Sequence, residues 1–334
     1  MARENTITVA GGGIFGLSCA WELLRRGAKV RLYEAQRIGA GSSGGTVGAL
    51  APHAPENWND KKQMQLDALI AAPDWWAEIA AAGGIDPGYA RTGRLQPLDA
   101  ATLPRIEARI AAARQNWPDW AQMQVTSTPE APLIPVSKDG LWLFDNLTAR
   151  MNPRRALAAL AAAIVAKGGE IVQGTPAPDL PAIWATGVAG LGPFDGNGVK
   201  GQSALLRHSA PDAPQVFADA LHIVPHSDGT VAIGSTSERD RTDCATDAQL
   251  DALIAKARLI CPAIDGAEVI DRWAGIRPRA KSRAPLVGPW PDRPGHFVAN
   301  GGFKIGFGMA PSVAALIADL VLEGKDRIPA AFRP

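Results

Sequence analysis

The sequence predicts an α/β protein with two domains, one built on a parallel sheet and the other an antiparallel α+β unit. At 334 residues the chain is about twice the common size of one domain. A glycine-rich turn joins a strand to a helix near its start, which is typical of a doubly wound parallel sheet. Alternating strands between residues 198 and 273 favour a second, antiparallel domain.

The composition excludes several classes of function. With 34 Lys+Arg against 33 Asp+Glu the net charge is +1, which gives no electrostatic reason for binding nucleic acid or an anionic membrane. Three cysteines are too few and too scattered for a disulfide framework or a zinc site, so we expect reduced thiols and no metal. The longest apolar stretch, 156–166, is too short to span a membrane, and no export signal is visible. We therefore expect a cytoplasmic protein without a membrane span.

The first element is a strand–turn–helix–strand unit. Residues 7–10 form a short β-type run, 11–16 read Gly-Gly-Gly-Ile-Phe-Gly, and a helical stretch leads to a second strand at 29–33. This context separates a Rossmann-like dinucleotide fingerprint from a chance glycine-rich turn, which is the structural alternative. The sequence therefore predicts dinucleotide binding at the start of the chain.

The residues of this fingerprint have distinct physical tasks. Gly11 permits the tight turn, and Gly13 lets the backbone approach a pyrophosphate. Gly16 lets the helix pack closely on the strands. Glu34, at the end of the second strand, would accept hydrogen bonds from the ribose hydroxyls of an adenosine.

The remaining elements alternate between helices and strands. We predict two helical pieces in 61–82 broken at Pro73, a helix over 103–117, an Ala-rich helix that starts at Asn152-Pro153, and strands at 170–172 and 183–185. The antiparallel part is predicted as strands 203–207, 215–224, 230–234 and 269–273 with a helix over 248–260. A strand at 296–299, a glycine-rich turn at 301–308 and a helix from Pro311 to 323 end the chain.

These motifs together resemble the FAD-dependent D-amino-acid oxidase family, and most closely its glycine oxidases. The resemblance rests on 11–16 with Glu34-Ala35, the small-residue loop 42–50, the segment 272–278 (Arg-Trp-Ala-Gly-Ile-Arg-Pro) and the glycine-rich segment 301–311. It covers nearly the whole chain. It implies a Rossmann-like FAD-binding domain (1–80, 141–200 and 284–334) and an antiparallel α+β substrate domain of the D-amino-acid oxidase type (81–140 and 201–283).

The resemblance also implies which residues contact the cofactor. They are Gly11, Gly13, Ile14, Phe15, Gly16, Glu34, Ala35, Ser42, Ser43, Val47, Gly48, Ala49, Ala177, Gly302, Phe303, Lys304, Ile305, Gly306, Phe307 and Gly308. Some relatives attach FAD covalently through a His or Cys. Gly45 fills the His-linked position here and no Cys lies near Arg277 in the sequence, so we expect noncovalent FAD.

Three residues are implied at the substrate. Arg277 stands where the family holds the substrate carboxylate with a guanidinium, and Lys304 stands where glycine oxidases carry a second cation. His222 replaces a family tyrosine, from which we expect a different hydrogen-bond geometry. The alternatives are a structural ion pair for Arg277, an exposed lysine in a turn for Lys304, and a satisfied strand histidine for His222.

The implied reaction is oxidation of glycine, an N-substituted glycine or a small D-amino acid to the imine and then the 2-oxo acid and ammonia. Oxygen is the expected acceptor, hydrogen peroxide the coproduct, and thiamine thiazole synthesis the expected role; homo-oligomer formation is left open. The alternatives are a flavin dehydrogenase that reduces a quinone or carrier, a nicotinamide-dependent dehydrogenase, and an FAD-binding protein without turnover. One departure from the family is a missing antiparallel insertion, replaced here by about ten residues at 173–182.

Overall fold

The computed structural model describes residues 6–239 and 241–334. Within them the helices are α1 (Ile14–Arg25), α2 (Asp60–Gly83), α3 (Leu103–Asn116), α4 (Pro153–Ala166), α5 (Ala248–Ile260) and α6 (Gly306–Glu323). The strands are β1 (Ile7–Ala10), β2 (Val30–Glu34), β3 (Ala49–Leu50), β4 (Arg94–Leu98), β5 (Met123–Thr126), β6 (Leu141–Asp145), β7 (Ala149–Arg150), β8 (Glu170–Gln173), β9 (Ala182–Trp184), β10 (Asn197–Arg207), β11 (Gln215–Ala218), β12 (Leu221–Pro225), β13 (Thr230–Gly234), β14 (Val269–Arg279), β15 (Leu286–Pro289) and β16 (Phe297–Asn300).

A six-stranded sheet carries the predicted dinucleotide fingerprint. Its strand order is β15-β16-β9-β1-β2-β8, and every neighbouring pair is parallel except β15 with β16. Helix α1 connects β1 to β2 and buries Leu17, Trp21 and Leu23 in the main hydrophobic core. Helices α2, α4 and α6 contribute to the same core, which confirms the predicted α/β layer.

The second sheet has eight strands in the order β14-β10-β13-β12-β11-β4-β6-β5. All of its pairs are antiparallel except β11 with β4. Strands β10 and β14 pair from Asn197↔Arg279 to Leu206↔Val269, with a register shift at Leu205 and Leu206. Helix α5 packs its buried Leu250, Ile254 and Ala257 into a separate core on this sheet. The predicted antiparallel α+β unit is thereby confirmed.

Several predicted elements have different bounds. Residues 61–82 form one helix, α2, that continues through Pro73, because the buried Trp75 and Trp76 beyond it keep the second half on the core despite the lost backbone hydrogen bond. The predicted strand 215–224 is a hairpin, β11 and β12, that turns at Asp219 and Ala220 with positive φ at both. Helix α6 begins at Gly306 rather than at Pro311, which lies inside it.

Two of the predicted domain boundaries, at residues 140 and 200, lie close to strands of the eight-stranded sheet. Strand β6, assigned to the FAD-binding part by the boundary at 140, pairs with β4 and β5 in the eight-stranded sheet. Strand β10 of the same sheet already begins at Asn197, before the boundary at 200. The division of the chain into two domains stays a prediction in other respects.

One helix of the described residues, α6, is long and apolar enough to cross a membrane by length and composition. Half of it is buried inside the protein. Its buried Met309, Val313 and Ile317 belong to the main core beside α1 and α2. Packing in the core therefore accounts for the apolar character of this helix.

Candidate active site

A cavity of about 730 Å³ lies between the carboxyl ends of the parallel strands and the face of the eight-stranded sheet. Its walls come from segments far apart in sequence. The first strand and turn contribute residues 10–15, the small-residue loop contributes most of 40–51, and the C-terminal turn contributes 302–308. Ligand sites of open α/β sheets form at this edge, where the strands end. The fold thus places the two predicted glycine-rich segments in one cavity.

The turn after β1 brings the backbone close to the cavity. Gly11 has φ +111°, and a Cβ there would overlap the carbonyl of Ala185. Gly16 does not line the cavity; a Cβ on it would overlap the Gly11 carbonyl, so its place is under the turn. Helix α1 starts beside the cavity with no side-chain cap from Gly13 and no acidic residue in its first turn, and its Ile14 N–H donates to Ser43 Oγ at 3.1 Å. The positive end of such a helix suits an anion such as a pyrophosphate.

Glu34 reaches the cavity at the end of β2. Its Oε2 accepts a hydrogen bond from the Gly12 backbone N–H at 2.7 Å, and its Oε1 accepts from Gln36 N–H at 2.9 Å. Each carboxylate oxygen retains a further lone pair. These contacts fix the carboxylate beside the glycine turn, where it can accept from the hydroxyls of a sugar.

The short connection between β8 and β9 also reaches this end of the cavity. Thr175 N–H donates to the Glu34 carbonyl at 3.2 Å, and Pro176 and Ala177 line the cavity. Residues 174–181 alone join the two strands. The predicted contact residue Ala177 therefore lies beside Glu34, in a wall made by a connection rather than by a sheet.

Helix α6 starts at the same cavity, close to the first turn of α1. It has no side-chain cap and no acidic residue in its first turn. A Cβ on Gly302 would lie 2.9 Å from the Phe15 ring and 3.0 Å from the Gly306 Cα, so the glycine lets this turn approach α1. The N-terminal ends of α1 and α6 both carry partial positive charge, and both lie at the cavity.

Arg277 enters the cavity from β14 and is 8% exposed. Its Nη2 donates to Ser235 Oγ at 2.5 Å and to the Thr236 carbonyl at 3.0 Å. Its Nη1 is buried and has no hydrogen-bond partner within the described residues. Burial lowers the pKa of Arg277 to about 10, and the charge of Glu238 opposes this shift. A buried guanidinium with an unused donor indicates a site for an anionic ligand.

A polar network behind Arg277 holds its contacts in place. Thr236 Oγ1 donates to Glu238 Oε1 at 2.6 Å and accepts from the Gln202 backbone N–H at 2.9 Å. The fully buried Lys200 lies beyond Glu238, with its Nζ 3.8 Å from Glu238 Oε2 and 2.8 Å from Asp243 Oδ1. The network ties the segment after β13 to β10.

Lys304 and His222 line the same end of the cavity. Lys304 is exposed, and its Nζ lies 5.6 Å from the centre of the Phe303 ring. Partial burial and the charge of Arg277 lower the pKa of Lys304. Burial lowers the pKa of His222 to about 3, with smaller contributions from Arg94 and Lys304, so its imidazole is neutral at pH 7. His222 Nδ1 lies 3.3 Å from Gln215 Oε1.

Except for Gly16, every site residue predicted from the sequence lines this cavity. Sequence reasoning missed others that do so: Gln65, Phe217, Ala220, Ser235 and Trp273. Trp273 lies in the segment 272–278 that carries the resemblance, and this is the signal that could have found it. For Ser235, the corresponding signal is its position directly after the end of a predicted strand. Gln65 and Ala220 carry no sequence signal, because their places depend on how α2 and the β11–β12 hairpin pack.

Two glycines leave room for the Trp273 ring. A Cβ on Gly45 would lie 3.2 Å from its ring, and one on Gly275 would overlap the ring. A Cβ at residue 45 would thus be in tight contact with the indole.

The N-termini of α1 and α6, which come from opposite ends of the chain, both lie at this cavity, and Glu34 supplies a carboxylate suited to the hydroxyls of a ribose. This arrangement suits a dinucleotide such as FAD. Together with the antiparallel second sheet, it defines the class of FAD-dependent oxidoreductases. Residues 6–320 match the family described as DAO, FAD dependent oxidoreductase, and the chain belongs to this family.

Two curated relatives match over almost their full lengths. The glycine oxidase of Pseudomonas putida is 28% identical over 373 residues, which covers 99% of this chain and 98% of the relative. A putative thiamine biosynthesis oxidoreductase, ThiO, of Rhizobium etli is 29% identical, and the match covers 95% of this chain and 96% of the relative. Among solved structures, glycine oxidase from Geobacillus kaustophilus superimposes with a TM-score of 0.86 at 23% identity, covering 98% of this chain and 97% of its own. Iminodiacetate oxidase from Chelativorans sp. BNC1 also gives 0.86, at 22% identity and 98% of both chains. These two structures share the fold.

Proposed function

We propose that this FAD-dependent oxidoreductase is a cytoplasmic oxidase of glycine or another small amino acid, a D-amino acid or an N-substituted glycine. The products are the imine, then the 2-oxo acid and ammonia, with hydrogen peroxide from oxygen. The observation that carries the proposal is the buried Arg277 Nη1 without a partner among the described residues, on a side chain that lines the cavity. A carboxylate is the part of an amino acid that matches this donor.

The residues that would hold FAD fit the cofactor. The positive end of α1, beside Ser43, suits the pyrophosphate, Glu34 suits the ribose, and the uncapped start of α6 suits the electron-rich end of the ring system. When bound, FAD supplies the two-electron acceptor for the hydride of the substrate.

The protein itself contributes orientation and charge. Arg277 anchors the carboxylate and so fixes the direction of the Cα–H bond, which is a positioning effect rather than a proton transfer. The neutral His222 adds no charge that would repel the amine as it loses its proton. Lys304 raises the positive potential around the carboxylate. A protein general base is not required.

Noncovalent binding of FAD is supported by Gly45 and Trp273. A linking side chain at residue 45 would need the space that the Trp273 ring occupies. The buried cysteines, Cys19 and Cys261, do not line the cavity, and neither does the exposed Cys244. Residue 45 is therefore not a histidine that could link FAD, and no cysteine of the described residues lines the cavity.

A role in thiamine thiazole synthesis is supported by the resemblance to ThiO of Rhizobium etli. A second candidate function, a dehydrogenase that passes electrons to a quinone or carrier, would use the same cavity. The fold of L-proline dehydrogenase from P.horikoshii, which superimposes with a TM-score of 0.79, is consistent with this alternative.

The test is an amino-acid panel with the FAD-loaded protein. Anaerobic bleaching of the flavin absorbance identifies which amino acids donate electrons, and oxygen consumption with peroxide formation then identifies the acceptor. Bleaching by glycine, N-methylglycine or D-alanine is expected. Bleaching only by L-amino acids, or by none of these, would refute the proposed substrate class. Bleaching without oxygen consumption would favour the dehydrogenase.

A further inference from the structure

Arg277 cannot present a paired fork to a carboxylate in the arrangement observed. The two paired geometries of a guanidinium use Nη2 together with either Nη1 or Nε. Nη2 here has two acceptors for its two protons, Ser235 Oγ at 2.5 Å and the Thr236 carbonyl at 3.0 Å. Nη1 keeps its protons and has no partner within the described residues. One of the two oxygens of a bound carboxylate therefore needs a donor other than Nη2.

The contacts of Nη2 are held firmly. Gln202 fixes Thr236 by two hydrogen bonds, from its N–H to Thr236 Oγ1 at 2.9 Å and from Thr236 N–H to its carbonyl at 3.2 Å. The almost buried Glu238 accepts from the Thr236 hydroxyl at 2.6 Å. Gly201 leaves room for the guanidinium, since a Cβ there would overlap it. Rotating Arg277 to free Nη2 would break this arrangement.

Ser235 supplies the missing donor. A guanidinium only donates, so Ser235 Oγ must accept from Nη2, and the proton of the hydroxyl remains free. Ser235 lines the cavity, and no acceptor for that proton exists among residues 6–239 and 241–334. The hydroxyl is also polarised, because its oxygen receives a charge-assisted hydrogen bond.

We propose that Ser235 Oγ–H and Arg277 Nη1 together bind the two oxygens of the substrate carboxylate, so that Ser235 is a substrate-binding residue. This inference rests on the proposed function, since it assumes a substrate with a carboxylate. We call this pair of donors the clamp. In place of two donors from one guanidinium, it offers one guanidinium donor and one hydroxyl donor, and Arg277 Nη2 holds the hydroxyl in place.

The experiment compares Ser235→Ala with Ser237→Ala in the FAD-loaded enzyme. Ser237 is a matched control because it is exposed, lies two residues away and does not line the cavity. For Ser235→Ala we expect KM for glycine to rise about tenfold, the range for one lost hydrogen bond to a charged group, with kcat within about twofold. Ser237→Ala should leave both constants unchanged. Ser235→Thr, which keeps the hydroxyl, should keep KM within about threefold of the wild type.

A second readout separates this inference from the proposed function. Acetate carries a carboxylate and no amine, so its Kd, titrated through the flavin absorbance, reports the clamp without turnover. We expect a Kd about tenfold higher in Ser235→Ala, with equal FAD content and equal Tm. If no amino acid is oxidised while this difference appears, the proposed function fails and the clamp stands.

Four results would overturn the clamp. The first is an unchanged KM and acetate Kd in Ser235→Ala, which would show that Nη2 turns to the carboxylate. The second is an equal rise in Ser237→Ala, which would show a general effect of the segment. The third is a Ser235→Thr variant as impaired as Ser235→Ala, which would assign the loss to packing. Absence of any acetate binding by the wild type would overturn both the clamp and the carboxylate site.

Discussion

Replacing Arg277 separates carboxylate recognition from a structural role of this residue. The side chain is 8% exposed, and burial lowers its pKa from 12.5 to about 10. At 1.36 kcal/mol per unit, this net shift corresponds to roughly 3 kcal/mol against the charged form, which a bound carboxylate would offset. Truncating one side of a buried charge pair costs about 2 to 5 kcal/mol. For Arg277→Ala we therefore expect kcat/KM for glycine to fall roughly 30-fold to several thousandfold, mostly through KM.

The Arg277→Lys variant tests geometry at constant charge. A single lysine amine cannot both donate to a carboxylate in the cavity, the role proposed for Nη1, and donate to Ser235 and Thr236. KM should therefore rise in this variant too. The same burial lowers the pKa of an amine, and the amine binds a carboxylate only when protonated. The variant should therefore lose affinity as pH rises through that lowered pKa, whereas the wild type keeps its guanidinium charged to about pH 10.

The assay is steady-state oxygen consumption, with FAD content and Tm measured on the same preparations. Arg279→Ala is the matched control, because Arg279 lies on the same strand and its Nε donates to Asn197 Oδ1 outside the cavity. Glycine amide, which lacks the carboxylate, provides a second control through anaerobic flavin bleaching. The reasoning is refuted if Arg277→Ala loses less than about tenfold, if glycine and glycine amide lose equally, or if FAD content falls with activity.

Three further predictions concern the cofactor and pH. Glu34→Ala should weaken FAD binding, since the lost hydrogen bonds to a carboxylate cost on the order of 1.5 to 3 kcal/mol, and an unchanged Kd in apoprotein titration would place the ribose elsewhere. Acid precipitation should release all the flavin; colour in the pellet would contradict noncovalent binding. Because the folded pKa of His222 is about 3, below its usual 6.5, unfolding takes up a proton between these values. His222 should thus lower the free energy of unfolding as pH falls below 6.5, at up to about 1.4 kcal/mol per unit, and chemical denaturation of His222→Asn should show a shallower fall. An identical pH dependence in both proteins would refute this.

The dinucleotide half of the fold could be predicted because backbone geometry restricts its sequence. At Gly11 and Gly16 any Cβ would overlap backbone atoms, so the residue type itself reports a close approach. Glu34 follows at the end of a strand whose register with β1 is fixed by a short βαβ connection. These constraints act over about 30 residues, within reach of a pattern in the sequence.

The antiparallel half was harder to predict because its partners are distant in sequence. Strand β4 contains Pro97 and pairs with β6 more than 40 residues later, so neither shows a local hairpin signal. Pro73 was interpreted as a helix break, but the cost of one missing hydrogen bond is smaller than the gain from burying Trp75 and Trp76. Tertiary packing overrides local propensity in both cases.

The charged residues that line the cavity differ in sign, and this difference supports the proposed carboxylate ligand. Glu34 is the acidic residue among the described lining residues, and its oxygens face backbone N–H groups at the ribose end. Arg277 and Lys304 face the other end, where no lining carboxylate neutralises them. An anion entering there reduces the desolvation cost of both cations, and a neutral amine does not. Under the proposed function, the positive charge of Arg277 and Lys304 selects for a carboxylate. Aromatic walls such as Phe217 and Trp273, whose positions depend on the packing of the second sheet, then select among side chains.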